Sequence, residues 1–336
     1  MIDPSALAVS LLLLTSAPSA EAPNPGLSGG EFLRGVTVSC PGYGRIWGSS
    51  QMATSLAELG ELGVEWVSIH PYAGVRRDGS VRYEPAAKTG YLERAVEIAR
   101  EADIELFWKP HLAYWGSFEW RGAIDFGDDT RRWQRFFDEY RAFIVDQARF
   151  AERSGVGLFA IGLEYEQTAR FVVPWRQLIR EVRSVYSGKI TYSANWDTID
   201  QVTFWDLVDV ISVQGYFPLA HEDNPSREAI AAGWRAPLET LRALSERHGK
   251  PVLFAEIGYD VSPDAAREPW RRNSRETPAN RALQRRLMEV ALETLEEQPF
   301  VVGMFWWKWI PGQRHGGDFS LRPPEVQEVL RRAWGS

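Results

Sequence analysis

The chain has 336 residues, of which 44% are hydrophobic and 25% charged, with a net charge of -7 at pH 7. Such a composition can bury a full core and excludes a disordered chain, and the acidic balance argues against nucleic acid as a partner. A single cysteine, Cys40, excludes an internal disulfide and a multi-thiolate metal site.

In chain order, the first feature is the apolar run ALAVSLLLLTSA at 6–17, followed by small residues in Ser19-Ala20-Glu21-Ala22. Its length suits the core of a signal peptide and is too short to span a bilayer. Residues 1–22 therefore read as a signal peptide or N-terminal anchor of a secreted or periplasmic protein, although the opening Met-Ile-Asp-Pro-Ser lacks the usual basic residue. Residues 23–30, rich in Pro, Gly and Ser, form a linker into a single folded domain at 31–336. From there, short apolar runs predict strands at 32–39, 64–71, 104–111, 156–164, 189–195, 209–216, 251–256 and 301–309. Amphipathic patterns predict helices at 50–62, 91–102, 130–154, 175–186, 227–248, 279–297 and 324–334. Gly63, Gly155, Gly188 and Gly249 stand just before strands, as glycines that cap helix C-termini do. Near-continuous apolar strands alternating with helices describe a parallel sheet covered on its outside. Eight such units in about 300 residues predict an α/β fold, a closed (β/α)8 TIM barrel. An open doubly wound sheet would place Gly-x-Gly-x-x-Gly after the first strand, where Ser39-Cys40-Pro41-Gly42 stands instead.

Chemistry in such a barrel belongs to the C-terminal strand ends. The second strand ends in Ser68-Ile-His70-Pro-Tyr72, the third in Trp108-Lys109-Pro-His111 and the fourth in Glu164-Tyr-Glu166. The fifth ends in Asn195-Trp196-Asp197 and the sixth in Gln214-Gly-Tyr216. Glu256-Ile-Gly-Tyr259 closes the seventh, and Trp306-Trp307-Lys308-Trp309 the eighth. The opposite ends carry plain Gly, Lys and Pro, an asymmetry that packing alone does not require. The sequence holds fifteen Trp, and the loop 113–129 adds Tyr114, Trp115, Phe118 and Trp120. Flat aromatic faces suit sugar rings, which are apolar on their faces and polar at their edges. Glycoside cleavage needs two carboxyl groups flanking the bond, and acids on strands four and seven are placed to supply them. By the two-residue period Val252, Phe254 and Glu256 share one face of strand seven, and Glu164 and Glu166 share one face of strand four. Parity cannot choose between the last two; strand length favours Glu164.

The pattern Ile161-Gly-Leu-Glu164 with Phe254-Ala-Glu256-Ile-Gly-Tyr259 resembles glycoside hydrolase family 113, in the clan of retaining barrel glycosidases with catalytic acids on strands four and seven. Further matching pieces are Lys109-Pro-His111, Ala194-Asn195-Trp196, Tyr216-Phe-Pro-Leu219 and Phe305-Trp-Trp-Lys-Trp309, so that the resemblance spans about residues 32–335. Characterised members are endo-acting β-mannanases. The resemblance implies Glu164 as acid/base, Glu256 as nucleophile and Tyr216 as the tyrosine that orients the nucleophile. It also implies that Lys109, His111, Asn195, Trp196 and one of Trp307 or Trp309 line the substrate subsites. The residue before the acid/base is Asn in most of the clan and Thr in this family; here it is Leu163, and Lys308 stands where the family tends to have Asn.

The resulting expectation is a retaining β-glycoside hydrolase acting on β-1,4-mannan or manno-oligosaccharides by double displacement, with its carboxyl groups about 5–5.5 Å apart. Glu164 should stay protonated near neutral pH, because its apolar strand and the charge of Glu256 both favour the neutral form. Beyond an oligo- or polysaccharide substrate, no cofactor, metal or nucleic-acid partner is expected, and the chain should be a monomer. Two alternatives carry different predictions: a non-catalytic carbohydrate-binding barrel, and a metal-dependent hydrolase using His70, His111 and the His315-Gly-Gly-Asp318 segment.

Overall fold

Apolar runs at eight places in the chain pair in parallel and close on themselves. The strands are β1 (Leu33–Val38), β2 (Trp66–Ile69), β3 (Glu105–Trp108), β4 (Leu158–Leu163), β5 (Lys189–Asn195), β6 (Val210–Gln214), β7 (Val252–Ile257) and β8 (Val301–Trp309), each bonded to its neighbours around a closed barrel. The computed structural model describes residues 31–313 and 317–335, so the export segment and linker expected at 1–30, and His315, lie outside the described residues. The helices are α1 (Ser50–Gly60), α2 (Gly90–Glu101), α3 (Thr130–Arg153), α4 (Val172–Arg183), α5 (Arg227–Gly233), α6 (Arg235–His248), α7 (Pro278–Glu296) and α8 (Pro324–Trp334). The fold is thus the predicted (β/α)8 barrel.

Three departures from the sequence reading have physical causes. Strands two and three stop short of 71 and 111, because Pro71 and Pro110 cannot donate to a ladder. Beyond these prolines the chain resumes as a second, three-stranded sheet, in which Tyr72–Val75 pairs with His111–Ala113 and Val81–Arg82. The helix expected at 227–248 is two helices meeting at Gly233 and Trp234. A Cβ at Gly233 would lie 2.0 Å from the carbonyl oxygen of Leu219, so the chain bends where the loop after β6 presses on it. Of the four glycines before strands, Gly63, Gly155 and Gly249 are left-handed, the conformation that ends a helix. Gly188 is not, and instead keeps clear of the Tyr186 hydroxyl, which a Cβ would meet at 2.3 Å.

Two apolar layers result. Leu33, Trp66, Phe107, Leu158, Ala160, Val210, Leu253, Ala255 and Phe305 fill the barrel interior as a plug under its mouth. A larger cluster packs the outer strand faces against the helices. In α3, Trp133, Phe136, Phe137, Tyr140, Phe143 and Ile144 form a buried stripe at helical spacing, and the Asp129 carboxylate caps the helix by accepting from the N–H groups of Arg131 and Arg132. This helix also reaches the strands through hydrogen bonds: Trp108 Nε1 donates to Gln147 Oε1 at 3.0 Å, and the Tyr140 hydroxyl donates to the Ile161 carbonyl at 2.7 Å.

Candidate active site

Glu256 reaches the barrel mouth by breaking the alternation of its strand. Leu253 and Ala255 point into the barrel, and Val252 and Phe254 pack outward against the helices. Strict alternation would send Glu256 outward with the latter pair, with which the two-residue period groups it. Instead, the register of β7 shifts against both neighbours between Phe254 and Ile257, and this irregularity turns Glu256 over the plug. There its carboxylate is gripped from two sides. Lys109 Nζ, entirely buried, donates to Glu256 Oε1 at 2.6 Å and to the Ala255 carbonyl at 3.0 Å. The Tyr216 hydroxyl donates to Glu256 Oε2 at 3.2 Å. Burial alone would raise the proton affinity of this carboxyl; the charges of Lys109 and Arg121 outweigh it and hold Glu256 below the usual carboxylate range.

Glu164 is set by the end of β4. The register of β4 against β5 shifts after Ala160, and Glu164 itself takes a left-handed conformation with φ of 54°. For a residue with a Cβ that conformation costs about 1–2 kcal/mol and persists only where the surroundings impose it. The surroundings here are specific. Gly162 lies so close to Trp175 and the Tyr140 hydroxyl that a Cβ would stand 2.9 Å from each. On the other side, the Tyr192 hydroxyl accepts from the Tyr165 N–H at 3.0 Å, and the Glu164 N–H donates to the Ser193 carbonyl at 2.8 Å. The Glu164 carboxylate then meets the guanidinium of Arg121, with Nη1 2.7 Å from Oε2. Burial raises its proton affinity, Arg121 opposes that, and the charge of Glu256 adds to it; the net direction is upward.

Both carboxyl groups open into one cleft of about 900 Å³. Glu166 lines it too, but is held separately, accepting from Asn195 Nδ2 at 2.6 Å. The two acids that parity could not separate are therefore distinguished by their partners: a cation for Glu164 and a neutral amide for Glu166. Of the other sequence candidates, Asn195, Trp196, Tyr216 and Trp307 line the cleft. Lys109 and His111 lie beneath it, buried. Lys109 serves Glu256, while the His111 ring stacks on His70 with centroids 4.5 Å apart. Burial and the neighbouring cations push both imidazoles well below the usual histidine range, so the pair is neutral. Of Trp307 and Trp309, the first lines the cleft; the second is fully buried, with the Arg322 guanidinium 3.7 Å from its ring centre. Leu163 is also fully buried, packed in the cluster between barrel and helices. Lys308 lines the cleft and pairs with Asp318 at 3.1 Å. Among the described residues, no three His, Cys, Asp or Glu groups come together as metal ligands.

Aromatic groups flank the carboxylates on both sides of the mouth. Trp196 and Trp270, carried by the loops after β5 and β7, stack with centroids 5.6 Å apart. Tyr72 and Trp115, carried by the loops after β2 and β3, stand 5.6 Å apart on the other side of the barrel. The site residues that sequence reasoning missed are Arg121 and Trp270. Arg121 lies in the very loop singled out for its aromatics, and the available signal was a cation amid aromatic residues beside a strand end bearing acids. An ionised carboxylate and a second carboxyl of raised proton affinity, facing one cleft, can together supply a nucleophile or base and a proton donor.

The family model described as Glycoside Hydrolase Family 113 matches residues 37–316. Among solved structures, the GH113 β-mannanase AaManA from Alicyclobacillus acidocaldarius, in complex with ManMIm, superposes with a TM-score of 0.78 at 25% identity, covering 90% of this chain and 97% of that one. A GH113 β-1,4-mannanase gives a TM-score of 0.79 at 24% identity, covering 91% and 99%. The β-glucuronidase of Faecalibacterium prausnitzii shares the fold at 14% identity and a TM-score of 0.61, covering 90% of this chain and 49% of that one. No curated protein matches.

Proposed function

The chain belongs to glycoside hydrolase family 113, and on that premise we propose that it is a retaining β-glycosidase cleaving β-1,4-linked mannan or manno-oligosaccharides within the chain. The observation that carries this reading is the opposite tuning of two carboxyl groups in one cleft, Glu256 held ionised by Lys109 and Glu164 raised by burial. In the first step an oxygen of Glu256 bonds to the anomeric carbon as the bond to the leaving oxygen breaks, and Glu164 gives that oxygen its proton. In the second, Glu164 takes a proton from water, whose oxygen displaces Glu256. Once Glu256 is esterified its charge is gone, and the proton affinity of Glu164 falls, as a base for the second step requires. Tyr216, already bonded to Glu256, orients the nucleophile. Sugar rings stack on Trp196, Trp270, Tyr72, Trp115 and Trp307, and Asn195 with Glu166 offers polar partners for hydroxyls beside the acid/base. A polymeric substrate fits the export suggested by the apolar run at 6–17.

The test is stereochemical. Proton NMR of the first sugar released from an activated aryl β-mannoside should show the β anomer. Glu256→Ala should abolish turnover in a barrel that still folds, with a lower Tm because buried Lys109 loses its partner, and added azide should restore turnover of the activated glycoside as an α-glycosyl azide. Release of the α anomer from the parent enzyme, or undiminished hydrolysis by the variant, would remove Glu256 as nucleophile. Oligosaccharide binding without release of reducing ends would leave only a sugar-binding barrel.

A further inference from the structure

Among the described residues Arg121 is the one cation bonded to Glu164, and the chemistry of its guanidinium restricts what that carboxyl group can do. A guanidinium donates hydrogen bonds and accepts none, and it does not lose its proton in a protein. While Nη1 lies 2.7 Å from Oε2, that oxygen is the acceptor; the carbonyl oxygen of a neutral carboxyl group accepts better than its hydroxyl oxygen, so the contact favours the proton on Oε1. The loop that delivers Arg121 is firmly placed. Phe126 packs on Trp133, whose Nε1 donates to the Gly127 carbonyl at 2.9 Å, and Asp125 pairs with Arg170 at 3.2 Å. The guanidinium sits 5.7 Å from the ring centre of Tyr114 and is largely shielded from solvent.

We propose that Arg121 is a positioning residue for the acid/base: by occupying Glu164 Oε2 it confines the transferable proton to Oε1 in both half-reactions. This rests on the reading of Glu164 as acid/base. In the first half-reaction the Oε1–H proton passes to the glycosidic oxygen as the anomeric C–O bond breaks, leaving both oxygens of Glu164 as acceptors and the ion pair with Arg121 at full strength. In the second, a proton from the attacking water returns to Oε1, and the electron pair of the bond to Glu256 goes back to Glu256. Without Arg121 the proton divides between two oxygens, and the resting carboxyl group also holds it more tightly, because the main opposition to burial and Glu256 is gone and the weaker pull of Lys109 remains.

The experiment compares the parent with Arg121→Met, which removes charge and donors, and Arg121→Lys, which keeps both. The pH dependence of kcat/KM is measured on nitrophenyl and dinitrophenyl β-mannosides, whose leaving groups differ in their need of a proton. Arg121→Met should lose about tenfold more on the substrate that depends on the acid, a fraction of the usual contribution of general acid catalysis. Its basic limb should move up by about one pH unit, with Arg121→Lys recovering most of both effects. Equal losses on both substrates with an unmoved limb would make Arg121 merely structural and overturn the proposal. Carbon-13 NMR titration of the Glu164 carboxyl group in folded parent and Arg121→Met, with Glu164→Gln assigning the signal, gives a readout free of turnover. An upward shift in the variant is expected, and identical titrations refute the proposal. Failure of the parent to hydrolyse any β-glycoside would instead sink the reaction reading, and the titration would still decide whether Arg121 controls this carboxyl group.

Discussion

Lys109 and Glu256 form a buried ion pair whose worth lies in tuning as much as in stability. Two charges out of water repay their desolvation only when each has its partner, and removing one leaves the other uncompensated, at roughly 3–5 kcal/mol. Lys109→Met should therefore lower stability by that order in urea unfolding. It should also move the acid limb of kcat/KM to higher pH, because the largest counterweight to the burial of Glu256 would be gone. Undisturbed stability and an unmoved limb would show that the pair does neither. Glu164 works with the opposite sign. Its folded-state proton affinity is raised, so its stabilising contribution is complete below the unfolded value of about 4.3 and is lost as pH rises through the folded value. Compared with Glu164→Gln, the parent should lose relative thermal stability on going from acid toward neutral pH. A difference in Tm that stays flat over that range would contradict the raised affinity. The sequence exposed these acids because they end apolar runs. It did not expose Lys109 as the partner of Glu256, since the two are 147 positions apart and meet only once the barrel closes.

Where the elements end, the sequence becomes harder to read, and the physical reason is the same in each case. Inside a strand the two-residue period holds, and the exact match at Lys189–Asn195 shows how far it carries. At the mouth the register shifts in β4 and β7 break the period, so counting alternate residues assigns Glu256 to the wrong face. The same limit left Trp307 and Trp309 undivided, and no periodicity marks Arg121, which lies in a loop. Pro71 and Pro110 were legible as residues but were not read as the points where barrel strands give way to a second sheet. Leu163 illustrates the consequence for function. Its side chain packs with the apolar cluster outside the barrel, so restoring the threonine usual at this position should not create a contact to substrate. Leu163→Thr should cost about 2–4 kcal/mol in chemical denaturation, from lost packing and a buried hydroxyl, without raising kcat. A stable, faster variant would mean that this residue turns toward the sugar.

Over the whole molecule, the placement of aromatic groups relative to the carboxylates bears on where the enzyme would cut the polysaccharide proposed as its substrate. In the barrel order, β5 and β7 flank β6, and β2 lies opposite β6, so the Trp196–Trp270 pair and the Tyr72–Trp115 pair stand on opposite sides of Glu164 and Glu256. Trp270 and Trp115 remain 47% and 56% exposed, unusual for large apolar rings unless something covers them in use. A pocket closed at one end would admit only a chain terminus. A cleft with stacking surfaces beyond both sides of the scissile bond gives a continuous chain purchase on each flank. Mannan should accordingly yield mixed short oligosaccharides at early times, with free mannose a minor product, and kcat/KM should rise with chain length until both platforms are filled. Trp270→Ala should then reduce kcat/KM on a hexasaccharide by about tenfold, the equivalent of one lost stacking contact of roughly 1.4 kcal/mol, and leave an aryl monoglycoside nearly unaffected. Monosaccharide as the first product, together with no dependence on chain length, would place only one sugar in the cleft and reduce the outer tryptophans to surface packing.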